Sequence, residues 1–572
     1  MRFRNNASWA LTRRMREQAR ARIPRRRWCL AGLLTIPFCL LACGNPGHVS
    51  ASAREIQVSS DLASEQILNR HLEADPRTLD PSLSTESVGQ RVLDDLFEGL
   101  VTLSEDGHTV PGVATSWETS TDGKTWTFYL RKDARWSNGQ PVTAQDFVYA
   151  WRRQVDPATG SEYAQALAPI ENAMDAAAGK MPPSKLGVEA AGPRMLVVHL
   201  NAPTAYLLAL LTNPYLYPIY EPAVKQWGDS WSQPGHMISN GPFLLTDRVF
   251  NGHITVEKNP YYWDASHVRL SKVIYHSVAD YDAASDQYLA GNIEFAERFN
   301  VAEIDRLRRI LGDQVVISPI YATAMFGYNL TKPPFAGNPK LRLALNIAVD
   351  REILMTFVEH GANGVPAYNI MPPLDGYDSA VPDWAHLSDD ARHALARKLY
   401  QEAGYSDAHP LDAVLTYASS GPHFRRFMEA LSAMWQMNLG AKIQIYNVEW
   451  KVLLQARQLR QPVFFWDAWI GDYPDPFTFA QMFQTGFGMN EGDYSNPQYD
   501  ALVDQASNTK DDAKRSELFH RAEAILNEDA PLLPVYYYVS SHLIKPYVKG
   551  WKSNITDRHL SRYMYILAHQ ES

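Results

Sequence analysis

The clearest ordering of apolar and polar positions runs through residues 388–450. Ser388 stands where a helix N-cap belongs, Leu395 and Leu399 lie four apart on one helical face, and Gly404 closes the segment. A hydroxyl can accept from the unpaired amides of a first turn, and glycine tolerates the left-handed backbone that ends a helix. An extended apolar run from Leu411 to Tyr417 follows, then a second helical pattern from about Pro422 to near Gly440. Ile443 and Ile445 next alternate with polar residues at the period of a strand. Strand, helix, strand in that order predicts a βαβ unit of an open α/β sheet. Such sheets bind ligands in the crevice beyond the carboxyl ends of their strands. The next predicted strand, Val463 to Trp469, runs into Gly471-Asp472-Tyr473-Pro474-Asp475-Pro476, so this turn-rich loop is expected at the crevice.

Upstream, Asp122-Gly123-Lys124 is a turn between Trp117 and the apolar-rich run Trp126 to Leu130, which predicts a hairpin. A helix should begin near Thr143, where Thr143 can cap and Asp146 places an acid in the first turn. No fixed-period repeat is present, which removes solenoids and propellers. At 572 residues the chain exceeds a single core and should form two or three domains. Hydrophobic residues at 45% and charged residues at 20% are ordinary for a folded globular protein.

The N-terminus changes this picture. The first 42 residues hold ten arginines and one acid, Glu17, followed by an apolar stretch from Trp28 to Ala42. That stretch is shorter than the ~20 residues of a spanning helix and reads as a signal peptide, residues 1–42. It ends in Leu40-Leu41-Ala42-Cys43, similar to the bacterial lipobox, so Cys43 is the expected lipidation site and residues 43–55 the tether. Met15 is an alternative start. The cysteines are Cys29, Cys39 and Cys43, so the remaining chain forms no internal disulfide and no cysteine-based metal site. Removal of residues 1–42 leaves 44 basic against 62 acidic residues, a formal net charge of −18. That balance argues against nucleic acid, whose phosphates demand a basic surface, and against adhesion of the protein body to anionic lipid.

Several segments resemble the oligopeptide-binding proteins of bacterial ABC importers, within the peptide/nickel-binding family of extracellular solute-binding proteins. The matching residues begin with Leu79-Asp80-Pro81, Asp95-Leu96-Phe97-Glu98-Gly99-Leu100 and the run Asp122 to Phe128. They continue through Pro141-Val142-Thr143-Ala144-Gln145-Asp146-Phe147, Asn259-Pro260-Tyr261-Tyr262-Trp263, Glu449-Trp450-Lys451 and Pro534-Val535-Tyr536-Tyr537-Tyr538. The resemblance implies a bilobal periplasmic-binding-protein-like α/β fold: two hinged α/β lobes with an extra domain inserted in the first. By analogy lobe I comprises 56–97, 222–320 and 541–572, the inserted domain 98–221, and lobe II 321–540. It further implies capture of short peptides in the inter-lobe cleft and delivery to the permease subunits of an ABC transporter. The expected setting is the periplasm, as a lipid-anchored monomer that needs no cofactor.

A receptor for many peptides must read what they share: an ammonium, an extended backbone and a carboxylate. Main-chain pairing ignores sequence. Asp472 matches the family's aspartate for the peptide ammonium, a charge-assisted pair in a closed cleft, with Gly471 beside it. Tyr163, Trp450, Trp469 and Tyr538 match ligand-contacting aromatics, and Thr85, Glu86 and Ser87 match a loop whose backbone lies along the peptide. His423 and Arg457 match positions near the peptide's C-terminal part. The family's cation three residues before the matched tryptophan is Trp466 here, and the lysine expected near Glu359 is missing, leaving His360 nearby. Both changes weaken the usual recognition of a free carboxylate. The cysteine pair of some relatives is replaced by Ala322 and Ile470.

Other readings are a murein-peptide receptor, or a relative tuned to nickel chelates, haem or another small ligand. A nickel site would want converging histidine or acidic ligands, and no tight histidine cluster stands in the sequence. A secreted peptidase or glycosidase is the competing class. Neither an H-E-x-x-H helix nor a G-x-S-x-G elbow is present. The carboxylates Asp472 and Asp475 are the remaining acid–base pair.

Overall fold

A computed structural model describes residues 56–358, 364–374, 376–418 and 422–571. The expected signal peptide, Cys43, the tether and His360 lie outside the described residues, as does the side chain of His423.

Among the described residues, eleven strands form one sheet whose middle is made by two long strands, Val315–Tyr328 and Leu532–Ile544. These two pair with each other antiparallel and extend into both halves of the sheet. On one side lie Phe464–Ile470, Asp412–Ala418 and Lys442–Val448, and the short strand Gly364–Pro366 also pairs with Leu532–Ile544. On the other lie Phe295–Ala296, Ile67–Leu72, Lys272–Ser277, His253–Lys258 and Phe243–Val249. A separate four-stranded sheet is built within 114–199, in the order Ala114–Thr119, Thr125–Leu130, Met195–His199, Val188–Gly192.

The 388–450 pattern folds as its periodicity predicts. Ser388 Oγ accepts from the Ala391 amide at the start of helix Asp389–Glu402, and Gly404 has φ +96° just past its end. Strands Asp412–Ala418 and Lys442–Val448 run parallel with Leu415 opposite Ile445, joined by helix Pro422–Leu439. That helix buries Phe427, Leu431 and Trp435 against the sheet residues Phe326, Leu415 and Phe464. The upstream hairpin also forms, with Gly123 at φ +75° in its turn. Helix Ala144–Gln154 opens on Thr143, whose amide donates to Asp146 Oδ2 at 2.7 Å.

One detail of the central strands matters for the site. The ladder between 315–328 and 532–544 loses register between Pro319 and Thr323. At this bulge the Tyr321 amide donates to Ile555 O at 2.7 Å and Tyr321 O accepts from the Gly471 amide at 2.8 Å. A bulge bends its strand and re-aims the side chains on it. It sits where the 464–470 strand ends and the loop carrying Asp472 begins.

Candidate functional site

Strand Phe464–Ile470 is parallel to Asp412–Ala418 on one side and antiparallel to Val315–Tyr328 on the other. The loop after it therefore leaves the carboxyl edge of the parallel strands, where the sequence pattern expects a crevice. Gly471 is required there by contact rather than by φ: a Cβ at this position would lie 2.5 Å from Tyr321 Cδ1. The Asp472 amide donates to Thr478 Oγ1 at 3.2 Å, and Asp472 O accepts from Asn213 Nδ2 at 3.0 Å. Tyr206 stacks on Tyr473 and Phe477 at 4.9 and 4.6 Å. The 98–221 segment thus grips the loop and fixes the direction of its aspartate.

The loop borders a cavity of about 370 Å³, lined by Asp472, Gly471, Thr85, Ser87, Tyr163 and residues of the other half of the sheet. This lies within the ~300–1,000 Å³ usual for small-ligand sites. Asp472 is exposed to the water of this cavity, yet protein crowds it on most sides. A carboxylate so enclosed lacks the full solvation of bulk water. Burial pushes its pKa up to about 6, with Thr478 opposing, and no cation among the described residues pairs with it. Tyr163, stacked on Tyr215 at 4.5 Å, has its phenol pKa raised by burial first and then by the Asp472 charge. An unpaired carboxylate beside two aromatic faces is suited to receiving a cation.

Asp475, three residues on, has a different task. It is buried, accepts both Nη groups of Arg515 at 2.7 and 2.5 Å, and accepts the Phe477 amide at 2.9 Å. Both its oxygens are committed to the loop, so Asp472 and Asp475 do not act as a free acid–base pair.

The other expected contacts divide. Thr85 and Ser87 line the cavity, while Glu86 accepts the Arg77 amide beside them at 3.0 Å. Trp450 is exposed at the start of helix Trp450–Gln458, and Trp469 is half-buried with Nε1 donating to Thr478 Oγ1 at 3.3 Å. Tyr538 lies in strand Leu532–Ile544 with its ring 5.0 Å from that of Tyr536. None of these three lines the cavity in this conformation.

Arg457 also does not border the cavity. It is buried, paired with Glu491 and with Asp467 at 2.5 Å, and donates to Trp466 O at 3.4 Å. A guanidinium taken out of water needs such partners, and the adjacent strand and the 490s loop supply them. Trp466 is likewise committed to packing, edge-to-face on Phe326 at 5.1 Å and Phe424 at 4.9 Å.

Sequence reasoning did not find Arg91, Arg298, Asp557 and Arg558, which border the cavity from the opposite half. Asp557 belongs to the one His/Asp cluster among the described residues whose ligand atoms converge, with His542 and His559. His542 Nε2 and His559 Nε2 lie 2.8 and 3.3 Å from Asp557 Oδ1. Asn554 Nδ2 lies 3.3 Å from His559 Nδ1, which assigns that ring's proton to Nε2 and makes Nε2 a donor to Asp557 rather than a ligand lone pair.

Comparison with known proteins follows the same lines. The family model for bacterial extracellular solute-binding proteins, family 5 (middle), matches residues 108–491. The periplasmic oligopeptide-binding protein OppA of Escherichia coli K12 is 35% identical over 538 residues, 93% of this chain and 98% of that protein. The periplasmic murein peptide-binding protein MppA of the same organism is 37% identical over 521 residues, 90% and 96% of the two chains. The solved unliganded open form of the MppA murein tripeptide-binding protein superposes with a TM-score of 0.80 at 36% identity, covering 89% of this chain and 99% of that one.

Proposed function

This chain belongs to family 5 of the bacterial extracellular solute-binding proteins, and on that premise we propose that Asp472 receives the ammonium of short oligopeptides captured between two hinged α/β lobes. The protein is a periplasmic binding component of an ABC importer, and its family consists of solute-binding proteins rather than enzymes. Lobe I is assigned to 56–97, 222–320 and 541–572, the inserted domain to 98–221 and lobe II to 321–540. Membrane attachment through lipid at Cys43, a monomeric state and delivery to permease subunits complete the reading.

The carrying observation is the Asp472 carboxylate: held by its backbone, open to a cavity, and lacking a cationic partner among the described residues. At neutral pH a ligand cation offsets the cost of keeping that charge there. Tyr163 and the Thr85–Ser87 loop border the same space, while Trp450, Trp469, Tyr538 and His423 are assigned to the closed state. Closure adds contacts that exist only when the lobes meet.

Mass spectrometry of the purified protein after denaturation should release intact short peptides. Fragments accumulating with turnover from an added peptide mixture would contradict the reading. A murein peptide is the second candidate ligand, favoured by Trp466 standing where the resemblance expects a carboxylate-binding cation, and it would appear in the same spectrum by its mass.

A further inference from the structure

Resting on the peptide reading above, we propose that Tyr206 is a positioning residue for peptide capture: its stack on lobe II makes the inserted domain a second pivot of closure and keeps Asp472 on the axis. The ammonium of a peptide then finds its site complete in the open protein, and closure follows its docking.

Two contacts flank Asp472 in the chain. On one side the Gly471 amide donates to Tyr321 O at 2.8 Å, at the bulge of the crossing strand. On the other, Tyr473 lies against the Tyr206 ring, with centroids 4.9 Å and planes 4° apart. Tyr206 comes from the 98–221 segment and also stacks on Phe477 at 4.6 Å and 14°. Phe477 shares the short helix Phe477–Ala480 with Phe479, whose ring meets that of Tyr321 edge-on at 4.9 Å. One aromatic row therefore joins the bulge to the inserted domain. A rigid body held at two points keeps a single rotation, about the line through them, and hinge closure is such a rotation. Asp472 lies between the two points and is displaced least.

The ammonium site needs such a pivot because two bodies build it. Asp472 belongs to lobe II, whereas Tyr163 and Tyr215, which share its cavity, belong to the inserted domain. Parting of the two would dismantle the site each time the lobes open. The contact is suited to turning: parallel rings stay in touch as they rotate in plane, whereas interdigitated side chains would clash. Its polar links are few and end on backbone oxygens. Asn213 Nδ2 donates to Asp472 O at 3.0 Å, the Ala205 amide to Ser507 O at 3.3 Å, and Lys510 Nζ to Ser120 O at 3.4 Å. Each side is firm in itself. Arg515 clamps Asp475 through both Nη groups and Tyr473 and Phe477 are buried, while Leu207, Leu210 and Leu211 anchor Tyr206 in the inserted domain. Tyr206 itself does not border the cavity, so it acts through Asp472 and not on the peptide.

The test uses the mature protein with tri-, tetra- and penta-alanine. Nitroxides on the exposed pair Ala205→Cys, Asn508→Cys report the pivot through dipolar broadening. A second pair, Phe250→Cys, Tyr446→Cys, is exposed at the outermost strands of the two halves and reports their approach. Saturating peptide should shorten the 250–446 distance and leave the 205–508 broadening as it is. Tyr206→Ala should broaden the spread of 250–446 distances in the empty protein and weaken the peptides about tenfold by calorimetry, and Tyr206→Phe should restore both. Thermal melts check that both variants fold; a residue with a merely structural role would move the melt and not the distances. A 205–508 signal that changes with peptide, a 250–446 distance that does not, or a Tyr206→Ala variant with wild-type distances and affinity overturns the pivot and leaves the peptide reading standing. No binding of any of the three peptides by wild type overturns the peptide reading itself.

Discussion

At the scale of single residues, Asp472 makes the sharpest demands. Its pKa stands near 6 because burial penalises the charge, whereas an aspartate in an unfolded chain titrates near ~3.9. A raised folded-state pKa means that the empty fold gains relative stability as pH falls from about 7 towards 4, the reverse of an ion-paired carboxylate. Pairing with an ammonium needs the ionised form, so below pH 6 a peptide must displace a proton. Affinity should be roughly tenfold weaker at pH 5 than near pH 7, and should fall again above about pH 8 as the peptide's own α-ammonium loses its proton, measured by calorimetry. Asp472→Asn should abolish that pH dependence and weaken binding by about 2–5 kcal/mol, while raising the melting temperature of the empty protein at neutral pH. Arg457 has the opposite profile. Burial raises the pKa of its partner Asp467 to about 6 even with the guanidinium opposing, and Glu491 is buried beside them. Arg457→Ala should cost about 3–5 kcal/mol of stability by stranding these carboxylates, read as a lower denaturation midpoint. A variant that melts normally but loses peptide binding would restore Arg457 to the site.

At the scale of elements, what the sequence revealed was local. The 388–450 unit could be read because its caps, helical faces and strand alternation lie within a few residues of one another, and the Asp472 loop followed from the strand before it. The ion pairs that chain Arg298, Glu73, Arg91 and Glu297 together beside the cavity could not, since Arg298 and Glu73 stand 225 positions apart. No periodicity marks a charge whose partner arrives from another strand. The ion pairs of Arg457 were not legible for the same reason: Glu491 meets it from 34 residues away. The register of the central strands gives an element-level test. Ala322 and Ile470 face each other across the antiparallel pair, and the neighbouring Gly471 amide donates to Tyr321 O, so Ala322 and Ile470 form the closely spaced, non-hydrogen-bonded pair. Their Cα atoms should lie near ~4.5 Å, within disulfide range. The double variant Ala322→Cys, Ile470→Cys should oxidise quantitatively, seen as loss of both free thiols under denaturing conditions. Persistent free thiols would show that this register is wrong.

At the scale of the whole molecule, capture depends on what two crossing strands permit. Val315–Tyr328 pairs with residues 539–543 at its start and with 464–470 and 532–537 further on, and the change of partner falls at the bulge between Pro319 and Thr323. Ile320 and Tyr321 line the cavity at that point. A bulge lets such a strand bend without breaking the ladders on either side, so we expect rotation of the lobes to centre there. Saturating peptide should then lower the radius of gyration in small-angle scattering while leaving the far-ultraviolet circular dichroism unchanged, because elements move as bodies. Ligand that binds only the folded state adds about 2.7 kcal/mol of stability at one hundred times Kd and about 1.4 kcal/mol for each further tenfold. The melting temperature should therefore climb with the logarithm of peptide concentration without a plateau. Asp472→Asn should move that line to higher concentration and keep its slope, since the variant weakens binding without altering what unfolds. A shift that saturates would mean that peptide also binds the unfolded chain, and scattering that peptide does not change would mean that the cavity holds its guest without the lobes closing over it.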